Sequence, residues 1–88
     1  MNNKEKILKI MIDHPNKVMW YAKDFQQGEF FIGYEASARM SEVQEEYKDI
    51  VISGKDGRYR TLSIDWSKEK EINDIKTIFE EIGDGNTN

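Results

Sequence analysis

Hydrophobic positions along the chain recur at two spacings, one helical and one extended. Between residues 4 and 13, Ile7, Leu8, Met11 and Ile12 follow the 3.6-residue period of a helix, with Lys4, Lys6, Lys9 and Asp13 outside the stripe. Pro15 ends this helix, because the residue before a proline is driven out of the α region, and Asn16-Lys17 forms a turn. Val18-Met19-Trp20, β-branched and aromatic, predicts a short edge strand. Residues 21–27 predict a short second helix that turns Ala22 and Phe25 inward and stops at Gly28. In the link Glu29-Phe30-Phe31-Ile32, three bulky apolar residues in a row pad a helix junction. Residues 34–47 predict a third helix. Its apolar residues Ala36, Met40, Val43 and Tyr47 fall within a wedge of about 60°, at about 100° per residue, and Gly33 serves as its N-cap. The side facing away carries Tyr34, Ala38, Ser41 and Glu45, with Ser37 and Arg39 on the two flanks. Two strand-like runs follow, residues 50–53 and 58–64, joined by the loop Gly54-Lys55-Asp56-Gly57 as a hairpin. A closing helix, capped by Asp65 or Ser67, runs to about Ile82 with Ile72, Ile75, Ile78, Phe79 and Ile82 as its stripe, and residues 83–88 are expected to fray.

Composition narrows what such a chain can do. Its 88 residues suit one core, and a 38% hydrophobic share with two Trp, four Tyr and four Phe is enough to fill it. With no cysteine, disulfides, thiolate metal sites and a cysteine nucleophile are excluded, and the lone His14 has no acidic cluster beside it in sequence to complete a metal site. No metal or cofactor is therefore expected. No apolar run is long enough to span a bilayer and the first residues lack the core of a signal peptide, so a soluble cytoplasmic protein is expected. The acidic residues lie on faces expected to be solvated, without an apolar pocket to shift one carboxyl, and no phosphate-loop lysine follows Gly33. An enzyme is not expected.

The net charge of −4 is unevenly spread. Residues 1–64 hold ten basic and ten acidic residues, whereas residues 65–88 hold three basic and seven acidic. A neutral body with an acidic tail leaves room for a local basic surface.

The order of elements, with Trp20-Tyr21-Ala22-Lys23-Asp24-Phe25 as strand end and second helix, Ala36-Ser37-Ala38-Arg39-Met40-Ser41-Glu42-Val43 as third helix and residues 50–60 as hairpin arm, resembles a winged helix-turn-helix DNA-binding domain of the small bacterial or phage regulator type. The resemblance implies an α+β fold of three helices plus a small antiparallel sheet, or wing, over residues 1–66. An additional amphipathic helix would occupy 67–82 and a disordered tail 83–88. It implies sequence-specific binding of double-stranded DNA and a role in transcriptional regulation, with helix 34–47 in the major groove and hairpin 50–64 on the phosphate backbone. In that setting Tyr34, Ser37, Ala38 and Ser41 meet base edges, while Lys23, Arg39, Lys55, Arg58 and Arg60 supply positive charge. The link between Gly28 and Gly33 is longer than the three or four residues usual in a helix-turn-helix.

Duller roles compete for the same residues. Arg39 stands four after Glu35, the favourable order for an intrahelical pair, and the hairpin cations can serve as edge-protecting charges. Tyr34 can pack under Phe30-Phe31, and Glu42, Glu45 and Glu46 are unwelcome near phosphates. The rival function is a protein-interaction module that offers its acidic helix and tail to a protein partner. In the closing helix Ile72, Ile75, Phe79 and Ile82 are spaced as in a coiled-coil seam, which fits either packing across the first helix or a homodimer.

Overall fold

The computed structural model describes residues 1–82, and the expected frayed tail, residues 83–88, lies outside them. Three α-helices and a three-stranded antiparallel sheet are present: α1 (Asn3–Asp13), β1 (Trp20–Tyr21), α2 (Ala36–Glu46), β2 (Val51–Asp56), β3 (Tyr59–Ile64) and α3 (Glu69–Ile82). The fold class is α+β, with strand order β1-β3-β2.

Helix α1 begins one residue earlier than the apolar period predicts because Asn2 caps it. The Asn2 side chain accepts the Glu5 N–H at 2.8 Å, while the Asn2 N–H donates to the Glu5 carboxylate at 2.9 Å. Its buried face is the expected one, Ile7, Leu8, Met11 and Ile12. Helix α2 buries Ala36, Met40 and Val43 against it. The N-cap of α2 is Glu35, not Gly33, and no side chain caps it; the Glu35 carbonyl accepts the Arg39 N–H at 3.1 Å. Tyr34 and Glu35 therefore precede the helix. Gly33 is needed instead for its backbone, since its φ of +146° is one that a side chain would disfavour.

The second helix does not form. Residues Ala22–Phe25 make a single 3₁₀ turn, closed by the Gln26 N–H on the Lys23 carbonyl and started by the Tyr21 N–H on the Asp24 carboxylate at 2.7 Å. A second 3₁₀ turn, Gly28–Phe30, follows. Too few residues separate β1 from Gly28 to repay helix nucleation, and aromatic packing fixes the segment instead. Phe25 stacks on Trp20 with centroids 5.3 Å apart, and Phe30 meets the same indole edge-on at 5.2 Å. Of the three bulky residues in the link, Phe30 and Ile32 pack against the core but Phe31 remains 48% exposed.

The hairpin is longer and tighter than expected. Its pairing runs from Val51–Ile64 to Asp56–Tyr59, leaving Gly57-Arg58 as a two-residue turn in place of the four-residue loop. Gly57 has φ +63° and no other residue of the turn has positive φ, so glycine stands at the first central position, where a hairpin turn of the II′ kind requires it. Gly54 is a strand residue opposite Thr61, and a Cβ there would come 3.1 Å from Thr61 Oγ1. The first strand starts two residues later than expected and is only two residues long, because it is Trp20 and Tyr21 that pair with Leu62 and Thr61, while Val18 and Met19 stay exposed.

Helix α3 lies across α1 and enters the common core through Ile72 and Phe79. Asp65 does not cap it directly but shapes its approach, accepting from the Ser67 N–H and hydroxyl at 3.1 and 2.6 Å. The four residues expected to share a seam divide: Ile72 and Phe79 are buried within the chain, Ile75 is half-buried, and Ile82 is 47% exposed. Phe79→Ala should accordingly cost about 3 kcal/mol or more, as for a buried Phe, whereas Ile82→Ala should cost about 0.5 kcal/mol or less. Urea unfolding of the two variants checks this, and equal losses would contradict the packing of α3 on α1.

Candidate nucleic-acid interface

The hairpin register decides which cations meet the third helix. Lys55 pairs with Arg60, so both share the sheet face that carries Leu62 and Trp20, and this is the face turned toward α2. Arg60 reaches α2 directly. One guanidinium nitrogen donates to the Ser41 hydroxyl at 2.7 Å and the other to the Ser37 carbonyl at 2.6 Å. Ser41 in turn donates weakly to the Ser37 carbonyl one turn back, at 3.4 Å. A side chain from β3 thus ties the hairpin to the first two turns of α2.

Between α2, the Ala22–Phe25 turn and the hairpin lies a groove of about 770 Å³, lined by Lys23, Ser37, Arg58 and Arg60 together with Tyr21, Gln26, Asp56 and Tyr59. Three of the five expected cations are brought together there. Asp56 is the one acid in that lining, and its carboxylate accepts the Tyr21 hydroxyl at 2.6 Å. This hydrogen bond pushes the Tyr21 phenol above its ordinary value. Arg58 lies over the Tyr59 ring, 5.4 Å from its centroid, and donates to the Tyr59 hydroxyl at 3.4 Å. Tyr21, Asp56 and Tyr59 were not foreseen as neighbours of the site. Reading Gly57-Arg58 as a two-residue turn supplies the missing signal, since it pairs Asp56 with Tyr59.

Arg39 is elsewhere. It turns to the opposite flank of α2 and pairs with Glu42 at 3.0 Å, rather than with Glu35. Lys23 is exposed on a 3₁₀ turn, so no helix N-terminus lies beside it to reinforce anion binding. Tyr34, 82% exposed, does not pack beneath the phenylalanines but meets Phe31 edge-on at 5.2 Å. Ser37, Ala38, Ser41 and Lys55 are exposed.

The glutamates of α2 are sorted by the helix. Glu42 holds Arg39, and Glu46 holds Lys4 of α1, so both are on the flank away from the hairpin. The Lys4 ammonium keeps the Glu46 carboxyl below the usual glutamate range, and Glu46 raises Lys4 in return. Glu45 stands out in solvent with Lys48 4.0 Å away. On α2 the exposed residues nearest the hairpin are thus Ser37 and Ser41, with Glu45 one turn beyond Ser41 on the same side, and the groove wall carries three cations and Asp56. Among the described residues no group of three or more His, Asp or Glu is placed to hold a metal, and no helix is long and apolar enough to cross a membrane. Comparison with protein-family models, curated proteins and solved structures gave no match.

Two outcomes follow from these contacts. In a double-mutant cycle on urea unfolding, Arg60→Met and Ser41→Ala should couple by about 0.5–1.5 kcal/mol, and strict additivity would break the link between hairpin and helix. Glu46 is depressed in the folded state, so its pairing stabilises above the ordinary glutamate range and is lost as pH falls through the folded value. The stability difference between wild type and Lys4→Met should therefore be present at neutral pH and close on acidification, which unfolding midpoints measured along a pH series will test.

Proposed function

We propose that this chain binds duplex DNA as a winged-helix-like protein, with the Ala22–Phe25 3₁₀ turn in place of the second helix of a helix-turn-helix, and acts as a transcriptional regulator, with α2 in the major groove and the β2–β3 hairpin as the wing. The reading is carried by the single groove that joins Lys23, Arg58 and Arg60 to Ser37. A helix that enters the major groove, about 12 Å wide, has a sugar–phosphate strand along its side. A hairpin fixed beside the helix leaves a channel for that strand. Cations from both walls of the channel then neutralise phosphates and set the register of the protein on the duplex.

The exposed part of α2 suits base edges. Ser37 and Ser41 are small donors and acceptors, and Ala38 fits against a thymine methyl. Arg60 occupies Ser41 and Ser37 in the free protein, so its first role is to hold the wing, and Arg58 and Lys55 are the freer phosphate ligands. The reading needs no metal or cofactor and assigns the chain no catalysis. A protein-partner role for the acidic face of α2 is less well supported, because Glu42 and Glu46 are already paired within the chain.

Selection from a random duplex pool, followed by sequencing of what is retained, tests the function. On the retained duplex Arg58→Ala and Lys55→Ala should weaken binding evenly across sequences, each reducing the magnitude of the salt slope by about 0.9. Tyr34→Ala should instead change the sequence selected. Equal affinity of wild type and the Lys55/Arg58 double variant at two salt concentrations would remove the wing contact.

A further inference from the structure

The groove between α2 and the hairpin offers more than a passing strand of DNA uses. Strand β1 ends at Tyr21, opposite Thr61, so among the described residues β3 has no neighbouring strand on that side at Tyr59 and Arg60. The groove opens beside this bare edge, and its volume of about 770 Å³ lies within the range of about 300–1,000 Å³ that takes a small organic ligand. Lys23 and Arg58 stand exposed at its rim, where a sugar–phosphate strand would meet them. Beneath them Met40, with no exposure to solvent, gives an apolar floor that such a strand leaves unused. The Tyr21 hydroxyl is held by the Asp56 carboxylate at 2.6 Å and by the Met19 sulfur at 3.4 Å, which fixes one aromatic ring of the lining, and Tyr59 supplies a second. The charge is also in excess of what a diester needs. Among the described residues none of Lys23, Arg58 and Arg60 has an acidic partner. Arg60, although bound to Ser37 and Ser41, keeps further N–H donors on the same guanidinium. With Asp56 as the one acid in the lining, two positive charges stand uncompensated.

We propose that the groove binds a 5′-nucleoside monophosphate, with its phosphate on Lys23, Arg58 and Arg60 and its base against Met40, Tyr21 and Tyr59, and that the bound nucleotide excludes the DNA strand. A phosphate monoester brings about two negative charges at neutral pH, which matches the excess of the groove, whereas each phosphodiester brings one. The base supplies a flat π face, which stacks on aromatic side chains whatever its sequence identity. A free nucleotide is thus the ligand that uses both the cations and the floor of a groove already suited to a nucleic-acid strand. The exclusion rests on the duplex-binding reading above, because strand and nucleotide draw on the same three cations. The nucleotide site itself stands on the groove alone.

Calorimetric titration of the full chain, without DNA, with adenosine 5′-monophosphate, ribose 5-phosphate and adenosine tests the site by removing one part of the ligand at a time. Ribose 5-phosphate, which lacks the base, should bind about tenfold more weakly than the nucleotide. Adenosine, which lacks the phosphate, should be weaker by at least about tenfold. Arg58→Gln should weaken the nucleotide about tenfold and leave adenosine unchanged. The wild-type comparisons stand by themselves, so a poorly folded variant does not blunt the test. With the nucleotide present at ten times its own dissociation constant, affinity for the duplex retained from a random pool should fall about tenfold. Absence of nucleotide binding, or ribose 5-phosphate binding as tightly as the nucleotide, overturns the site and leaves duplex binding intact. Nucleotide binding that does not alter duplex affinity overturns the exclusion. Failure of the pool to yield any bound duplex overturns the duplex reading and the exclusion together, while the titration without DNA still decides the nucleotide site.

Discussion

The contact on which the surface of this protein depends is the reach of Arg60 from β3 to the Ser37 carbonyl and Ser41 hydroxyl of α2. A two-stranded hairpin has little stability of its own and needs a third strand or a packed face. Here β1 supplies only two residues of pairing, at Trp20 and Tyr21, so the hairpin beyond Thr61 extends past its support. Arg60 bridges that overhang, and one planar cation suits the task. Its fork meets two acceptors one helical turn apart, which a lysine ammonium does not match. The charge stays partly exposed and so avoids the penalty of burial, while the geometry fixes the distance between helix and hairpin.

That constraint also organises the charge. Seen from the sequence, α2 is an acidic helix beside a mixed hairpin, and a net charge of −4 argues against an anionic partner. Folding separates the signs. Glu42 and Glu46 fall on the flank that faces away from the hairpin and are matched by Arg39 and Lys4. Helix α3, which carries five acidic and two basic residues, packs on α1. Since α1 also packs on α2, the acidic excess of α3 stands across a helix from the groove. Surface charges are screened over about 10 Å in ordinary salt, so the field inside the groove is set mainly by Lys23, Arg58, Arg60 and the hydrogen-bonded Asp56.

Legibility followed the strength of the periodic signal. The apolar faces of α1 and α2 were readable residue by residue, because a 3.6-residue stripe has one way to face a core and the observed buried positions are those of the stripe. The existence of the hairpin was readable too. Its register was not, since two glycines bracket Lys55-Asp56 and only one of them makes the turn; Gly54 instead leaves space beside Thr61, a fact of packing that no local pattern carries. The second helix was misread because Ala22 and Phe25 have helical spacing, whereas stacking of Phe25 on Trp20 and the Asp24 carboxylate on the Tyr21 N–H favour one tight 3₁₀ turn. Among the expected site residues, Lys23, Ser37, Arg58 and Arg60 are gathered and Arg39 is not, because the partner of a long side chain depends on which helix flank it occupies.

The division of the α3 stripe completes this picture. In a chain of this size the fraction of surface buried is small, and every large apolar residue inside counts. Helix α1 offers Ile7, Leu8, Met11 and Ile12, too broad a face for α2 and the sheet alone to cover, and Ile72 and Phe79 join the same cluster from α3. With α3 committed to that task, the surface formed by α2 and the hairpin is free of any demand to bury itself. Small polar side chains, an exposed pair of aromatic rings and unpaired cationic tips can persist there because the core is closed elsewhere. The apolar residues left outside on α3, Ile78 and Ile82, sit on one flank of its stripe around the buried Phe79, turned away from α1.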